Sequence, residues 1–420
     1  MIKSSQISGF YKLLLEKRLE IVKEFSNLTN EEVELLKKQS ALDFSLADKM
    51  VENAIGTFPL PMGLAVNFLI NGKDYLIPMA LEEPSVIAAA SNSAKMARVK
   101  GGFKSTSTDP VMIGQIQVVN LKDLAKAKKE ILKNKSQIIE LCNRQDSTLV
   151  KFGGGCKNIE VRTFTKPEKM LVVHLLVDCR DAMGANAVNT MSEAVAPFIE
   201  KLTGGHVYLR IISNLAIYRL VHAEAIFDKE ALGGEEAVDG VIHAYNFAVA
   251  DPFRAATHNK GIMNAVSAIT IATGNDWRAI EAGAHAYTAY NKKQYSPLTK
   301  FSKTKSGDLK GEIEMPLAVG LVGGATKVHP IAKVNVKILG VQSARELAEV
   351  MGAVGLAQNL AALRALSTEG IQRGHMELHA RNIATTAGVP QNLAEKIVTQ
   401  MIKEKNISVS RAKEILDQLK

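Results

Sequence analysis

The order of apolar segments between residues 111 and 212 constrains the fold of this chain more than any other feature of its sequence. These segments predict a strand, a helix, two strands, a second helix and a final strand in succession. This βαββαβ order is that of a ferredoxin-like domain. The predicted segments are 111–119, 121–144, 158–164, 170–179, 184–202 and 206–212.

The rest of the chain predicts a second, larger unit. The length of 420 residues exceeds one ordinary core. Residues 261–272 are apolar nearly all round, which predicts a buried helix at the centre of a domain. We therefore predict an α+β protein with a large, mostly helical domain (1–108 and 216–374), an inserted small domain (109–215) and a mobile C-terminal helical flap (375–420).

Short local motifs add detail in the N-terminal part. The pair Asn71-Gly72 predicts a tight hairpin, and Thr29 with Glu32 predicts a helix that begins with a capping box. Pro84 precedes an alanine-rich stretch, so we expect it in the first turn of a helix. Glu83 then lies at a junction between a strand and a helix.

The net charge of +9 raises the question of nucleic-acid binding. The densest basic stretch, 122–135, also carries Asp123 and Glu130 and has no aromatic residue, which favours a solvated helix face. RNA-binding ferredoxin-like modules stack bases on exposed aromatic residues, and in this domain the predicted strands before residue 207 contain one such residue, Phe164. We expect no nucleic-acid partner; a polyanionic small ligand such as coenzyme A or a dinucleotide suits the charge.

Several features indicate a cytoplasmic protein. The first 25 residues form an amphipathic helical pattern rather than a signal peptide, and no apolar run approaches the length that spans a bilayer. Cys142, Cys156 and Cys179 are odd in number and lack paired spacing, which is typical of free thiols in a reducing compartment. We therefore expect no membrane association.

Three polar patterns could carry chemistry. Residues 181–186 join a strand to a helix, where free N–H groups favour a phosphate, although a plain turn fits them equally well. Lys260 and Asp276 bracket the buried helix, either as structural polar groups or as part of a site that stabilises an oxyanion. His375 and His379 have the spacing of zinc ligands, but the glutamate between them is not next to the first histidine, so we predict no metal.

Five segments together resemble the hydroxymethylglutaryl-CoA (HMG-CoA) reductase family. In combination they are highly specific, and the likeness extends from Glu52 to Asn382. The sequence lacks the membrane anchor of the animal enzymes and resembles the soluble, mainly prokaryotic second class. The segments are Glu82-Glu83-Pro84-Ser85, Asp181-Ala182-Met183-Gly184-Ala185-Asn186, His258-Asn259-Lys260-Gly261, Gly274-Asn275-Asp276-Trp277 and Gly374-His375-Met376.

This resemblance implies an enzyme that interconverts HMG-CoA with mevalonate and coenzyme A by two successive hydride transfers. It implies four catalytic residues. Lys260 would stabilise the substrate oxyanion, and Glu83 would protonate it. Asp276 would orient Lys260 and couple to Glu83. His375, on the flap, would protonate the coenzyme A thiolate.

The resemblance also implies binding residues. Ser85, Arg254 and Asn264 would contact the hydroxymethylglutaryl group, and Gln358 would contact coenzyme A. The inserted domain would bind the dinucleotide, with Asp146 near the adenosine ribose. A carboxylate there accepts hydrogen bonds from the ribose hydroxyls and repels a 2′-phosphate, so we expect NAD(H) to be favoured over NADP(H). The residues expected beside the dinucleotide phosphates are Asp181, Met183, Gly184, Ala185 and Asn186.

Two further expectations come from the family, and two alternatives stay open. The family implies a homodimer with active sites at the subunit interface, and a hexamer built from such dimers. The rival hypotheses are a dehydrogenase acting on another acyl-CoA or hydroxy acid, and a ferredoxin-like RNA-binding protein. The sequence leaves open whether the reaction serves mevalonate synthesis or breakdown.

Overall fold

A computed structural model describes residues 4–38, 41–290, 292, 294–368, 380–404 and 406–419. The strands are β1 (Met62–Ile70), β2 (Lys73–Ala80), β3 (Phe103–Ser107), β4 (Val111–Val119), β5 (Gly155–Phe164), β6 (Met170–Asp178), β7 (His206–Ser213), β8 (Leu220–Phe227), β9 (Thr299–Lys303) and β10 (Leu309–Pro316). The helices are α1 (Leu15–Ser26), α2 (Asn30–Lys37), α3 (Phe44–Met50), α4 (Val86–Arg98), α5 (Leu124–Lys133), α6 (Lys135–Asn143), α7 (Ser147–Lys151), α8 (Ala185–Thr203), α9 (Lys229–Leu232), α10 (Glu235–Ala250), α11 (Pro252–Ala272), α12 (Trp277–Ala289), α13 (Gly324–Val328), α14 (Pro330–Leu339), α15 (Ala344–Ser367), α16 (380–386), α17 (Gln391–Lys403) and α18 (Val409–Gln418).

The small sheet confirms the ferredoxin-like prediction. Its strands lie in the order β5-β6-β4-β7, and every neighbouring pair is antiparallel. The single long helix predicted over 121–144 is wrong, because the chain forms α5 and α6 with Asn134 between them. The side chain of Asn134 donates to the carbonyl of Glu130, 2.8 Å away, and this local bond competes with continuation of the helix.

The large sheet has the order β2-β1-β3-β8-β10-β9 and packs against helices α4, α11 and α15. The predicted central buried helix is α11, and α15 beside it is buried along most of its length. Gly355 of α15 lets the two helices approach closely, since a Cβ atom there would meet the side chains of Ile262 and Val266 at 3.2 Å. Two rigid helices therefore form one wall of the large domain.

Two chain segments connect the sheets. One joins β3 to β4 around Thr108, and the other joins β7 to β8 through residues 214–219. The Thr108 hydroxyl donates to the carbonyl of Tyr218 at 2.7 Å and accepts from the backbone N–H of Leu220 at 2.8 Å. This bonding ties the two segments together. The domain limits expected at 109 and 215 stay predictions.

Most of the local N-terminal predictions are confirmed. Asn71 and Gly72 both have positive φ angles, 51° and 77°, as the tight hairpin between β1 and β2 requires. Thr29 and Glu32 form the capping box of α2. The expectation for Pro84 is wrong, because α4 begins at Val86 and the preceding Ser85 has a left-handed φ of 74°.

The C-terminal residues that the structure describes form their own apolar cluster. Ala384 in α16, Ile397 and Met401 in α17 and Ile415 in α18 are its buried members. His375 lies outside the described residues, and flap mobility stays a prediction. In the described part of the chain, no helix is both long and apolar enough to cross a membrane.

Candidate active site

Helix α11 and the connection between β2 and α4 bring together three of the predicted site residues. Lys260 Nζ lies 3.1 Å from Glu83 Oε2, and Asn264 Nδ2 donates to the same oxygen at 3.3 Å. Lys260 and Asn264 share one face of α11 because they are four residues apart. Glu83 reaches them because the left-handed Ser85 ends the connection just before α4. The side chains of Lys260 and Glu83 are 61% and 38% exposed, so both can meet a ligand.

A cleft of about 1080 Å³ opens beside this group. Ser85, Arg254 and Gln358 line it, so the predicted substrate contacts share one cavity. Burial lowers the pKa of Arg254, yet a guanidinium remains charged at any physiological pH. Within the described residues no carboxylate pairs with Arg254, so its two-pronged donor group is available to an acidic ligand. The far wall of the cleft is apolar and consists of Ala361, Ala362, Ala365 and Leu366.

Asp276 does not join this group within one chain. Its carboxylate accepts from the backbone N–H groups of Arg278 and Ala279, both at 3.1 Å, and caps α12. Lys260 and Ala272, the last residue of α11, are twelve residues apart, which is about 18 Å along a helix. Asp276 follows beyond that end, and it lines a different cleft from the one that Lys260 lines.

A second cleft, of about 1160 Å³, contains Asp276 and most of the predicted cofactor residues. Helix α8 points its N-terminus into this space, and Gly184 before it has a φ of 109°. A side chain at Gly184 would overlap the sulfur of Cys179, so only glycine fits this tight turn. Free N–H groups at a helix N-terminus bind anions. The predicted cofactor residues that line the cleft are Asp146, Met183, Gly184, Ala185 and Asn186.

Asp181 has a different position from its neighbours. Its carboxylate accepts from the N–H of Ala344 at the start of α15, 2.8 Å away. Its carbonyl accepts from the N–H of Leu321, also at 2.8 Å. Asp181 therefore fastens the turn to the large domain, and its side chain is already engaged there.

Sequence reasoning missed Arg219, a buried residue that hydrogen-bonds to the backbone of the turn before α8. Its side chain is 5% exposed and donates to the carbonyls of Ala182 and Met183, both at 3.0 Å, and of Val319. Burial lowers its pKa. No pattern in the sequence marks this arginine, because its three acceptors come from two distant segments.

Glu281 was also missed, and it lines a smaller cavity with Glu83 and Lys260. Burial opposes ionisation of Glu281, but hydrogen bonds from His285 and Ser267 hold its pKa below the usual value. His285 Nε2 lies 3.0 Å from the carboxylate. The spacing of four residues between Glu281 and His285 on a helix is a signal that could have indicated this pair.

One group of side chains has the composition of a metal site. His222, Glu224 and Glu312 each offer a ligand atom within 4.8 Å of the others. Lys310 Nζ, however, lies 3.0 Å from both carboxylates. The ammonium already balances their charge, so the group forms an ion-pair network on the large sheet.

Comparison with known proteins gives a consistent result. The family model described as hydroxymethylglutaryl-coenzyme A reductase matches residues 14–380. The chain is 60% identical over 418 residues to the 3-hydroxy-3-methylglutaryl-coenzyme A reductase of Archaeoglobus fulgidus, covering 99% of this chain and 95% of that protein. It is 35% identical to the probable reductase of Borreliella burgdorferi, over 92% and 88% of the two chains.

Solved structures agree with the sequence relatives. A class II reductase from Streptococcus pneumoniae, bound to NADPH in open conformations, has a TM-score of 0.82 at 39% identity and covers 97% of this chain and 100% of that chain. A second structure from the same organism has a TM-score of 0.84 at 39% identity, over 98% and 99% of the two chains. The similarity therefore includes both clefts.

Proposed function

The chain belongs to the hydroxymethylglutaryl-CoA reductase family, and we propose that its cleft beside Lys260 is where HMG-CoA and mevalonate are interconverted. The protein is an oxidoreductase, and its membership of this particular family displaces both rival hypotheses. The observation that carries the proposal is the contact between Lys260 Nζ and Glu83 Oε2 at the edge of a cleft that also holds Arg254.

The substrate suits the charge and shape of this cleft. The free carboxylate of the hydroxymethylglutaryl group would pair with Arg254 in a fork geometry, with Ser85 as a neighbouring hydroxyl. Asn264 would contact the same group from α11. The coenzyme A chain would follow the apolar wall past Gln358.

Lys260 and Glu83 would act at the thioester carbon. Reduction turns the carbonyl oxygen into an anion, and the Lys260 ammonium would stabilise that developing charge. Glu83, within hydrogen-bond distance of Lys260, would supply the proton that the oxygen takes up. The resulting hemithioacetal would return that proton to Glu83 as its carbon–sulfur bond breaks and coenzyme A leaves. Lys260 and Glu83 would then act in the same way when the aldehyde takes up the second hydride. When bound, each reduced nicotinamide supplies one hydride, so the two reductions use two cofactor molecules in succession.

The second cleft fits a dinucleotide. The tight turn at Gly184 and the N-terminus of α8 form a cradle that a side chain would fill. Met183, Ala185 and Asn186 would lie beside the phosphates, and Asp181 would hold the turn in place. Asp146 would accept from the adenosine ribose hydroxyls and repel a 2′-phosphate. We therefore propose that NADH is favoured over NADPH, although the similar pneumococcal protein is described with NADPH.

The position of Asp276 favours a site that is shared between two copies of the chain. Since Asp276 and Lys260 of one chain line different clefts, we propose that a homodimer brings the partner's carboxylate to the lysine. Exposed aromatic side chains at the junction of α10 and α11, which precedes Arg254, support an interface there, because Phe253 is 85% exposed and Phe247 is 57% exposed. Further assembly into a hexamer is part of the same proposal.

The proposal also includes the role of His375 and the cellular location of the protein. His375 would protonate the departing coenzyme A thiolate from a flap that closes before reaction. A cytoplasmic location rests on the three cysteines, which are all free and buried, as in a reducing compartment.

The test is the initial rate of NADH or NADPH oxidation with HMG-CoA, and the reverse assay with mevalonate, coenzyme A and each oxidised cofactor. We expect turnover in both directions, with a higher kcat/KM for NADH than for NADPH. A preference for NADPH would overturn the assignment of Asp146 alone. Absence of turnover with every cofactor would overturn the proposed function.

A further inference from the structure

His258 lines the substrate cleft between Arg254 and Lys260, and a chain of hydrogen bonds defines its protonation. Asn359 Nδ2 donates to the backbone carbonyl of His258 at 3.3 Å, so its Oδ1 is the acceptor for Thr299 Oγ1 at 2.8 Å. The single hydroxyl hydrogen of Thr299 is then used. His258 Nε2, 2.6 Å from that hydroxyl oxygen, must therefore carry the hydrogen of this last bond.

It follows that His258 Nδ1 is a hydrogen-bond acceptor. The residue is 1% exposed, and among the described residues Nδ1 has no hydrogen-bond partner. Burial, together with the charge of Arg254, lowers the pKa of His258 to about 3, so the ring is neutral. A buried acceptor without a donor is unfavourable, and here it lies in the wall of a ligand cleft.

The order of the residues along α11 indicates which part of the substrate lies at the level of His258. Along α11, His258 lies about 6 Å beyond Arg254 and about 3 Å before Lys260. A substrate with its carboxylate at Arg254 and its thioester carbonyl at Lys260 has its middle carbon at the level of His258. That carbon carries the tertiary hydroxyl, which is a donor.

We propose that His258 Nδ1 accepts a hydrogen bond from the 3-hydroxyl of HMG-CoA and selects for substrates that carry this hydroxyl. The inference rests on the proposed function, which sets the substrate between Arg254 and Lys260. Because Nδ1 is closed to water in the free chain, the substrate has to open the cleft wall locally in order to reach it.

Two variants of His258 separate this role from packing. Asparagine and leucine have nearly the same shape, but only asparagine keeps an acceptor where Nδ1 lies, and both lose the bond to Thr299 equally. We would measure kcat/KM for HMG-CoA and for 3-methylglutaryl-CoA, which lacks the hydroxyl. The wild type should favour HMG-CoA by about ten- to a hundred-fold. His258→Asn should keep most of that preference, and His258→Leu should reduce it at least about ten-fold.

The outcomes distinguish this inference from the proposed function. Equal preferences in His258→Asn and His258→Leu, with an active wild type, would overturn the role of Nδ1 and leave the reductase activity intact. A wild type that turns over neither thioester would overturn the proposed function itself.

A measurement without any variant covers the case in which both variants fail to fold. Nitrogen-15 NMR of the wild type, labelled at histidine, should find His258 protonated at Nε2. The Nδ1 resonance should move upfield when mevalonate, which carries the same hydroxyl, is added. A hydrogen on Nδ1, or an unchanged resonance at saturating mevalonate, would contradict the proposal.

Discussion

The proposed substrate cleft beside Lys260 and the proposed dinucleotide cleft at Gly184 are built in different ways. In the substrate cleft, functional side chains project from long, buried helices, as Lys260 and Asn264 do from α11. In the dinucleotide cleft the backbone itself forms the site, through the tight turn at Gly184 and the N-terminus of α8. Substitutions in the first cleft should therefore remove chemistry and leave the fold, whereas substitutions in the second should change the shape of the site.

The sharpest test of this contrast is Lys260→Ala. We expect kcat to fall at least about a thousand-fold, because the cation that faces the oxyanion is lost. The side chain is 61% exposed, so the free energy of unfolding should change by about 0.5 kcal/mol or less. Steady-state kinetics check the activity and denaturant unfolding checks the stability. Lys129→Ala is the control, because Lys129 is an exposed residue of α5. A large loss of stability would contradict the view of a preformed helical scaffold.

The position of Asp276 in the second cleft leads to a complementation test. We expect Lys260→Ala and Asp276→Ala each to be nearly inactive alone. In a symmetric dimer that shares its sites, a mixed pair contains one site with both native residues. The purified mixed dimer should then have about half of wild-type activity.

This experiment requires mixed dimers, so the two variants should be co-expressed with different tags and purified through both tags. The doubly tagged wild type is the control. If the mixed dimer stays as inactive as the single variants, the partner does not supply Asp276.

The difference between the clefts also explains how much the sequence could predict. The ferredoxin-like strand order and the hairpin at Asn71 follow from local patterns, since periodicity and turn residues act over a few positions. The meeting of Glu83 with Lys260 joins residues 177 positions apart. Local sequence patterns extend over only a few residues and cannot indicate a contact between residues so far apart. Only the family resemblance indicated that pair.

The same limit accounts for the errors and omissions. Ser85, whose left-handed conformation places Pro84 before the start of α4, is a serine in a region that non-glycine residues rarely adopt, so local patterns did not indicate it. Arg219 is buried under a turn whose carbonyls come from two segments of the chain. The separation of Asp276 from Lys260 depends on the direction of α11 and on where its ends lie.

In the dinucleotide cleft, Gly184→Ala should distort the turn. An alanine Cβ would overlap the Cys179 sulfur, and the φ of 109° is unfavourable for any L side chain. We expect the KM for the dinucleotide to rise about ten-fold or more, while the KM for HMG-CoA changes less than about two-fold. Gly204→Ala is the matched control, because Gly204 ends the same helix with a φ of 68° and open space around it. Equal effects on both KM values would mean that the two clefts are not independent.

The smallest expected effect is on the choice of cofactor, and it tests whether any side chain in the second cleft matters as much as the backbone. Asp146 caps α7 by accepting from the N–H of Leu149 at 2.8 Å. Serine keeps that cap but removes the negative charge. Asp146→Ser should therefore lower the ratio of kcat/KM for NADH over NADPH by about ten-fold, because repulsion of the 2′-phosphate is lost.

Asp123→Ser is the control for this change, since Asp123 caps α5 in the same way, through the N–H of Lys126 at 3.0 Å. It should leave the cofactor ratio unchanged, because it is not among the residues that line the cleft. If Asp146→Ser also left the ratio unchanged, discrimination would have to come from other groups near the adenosine. The dinucleotide cleft would then act through its backbone alone, and the contrast with the substrate cleft would be complete.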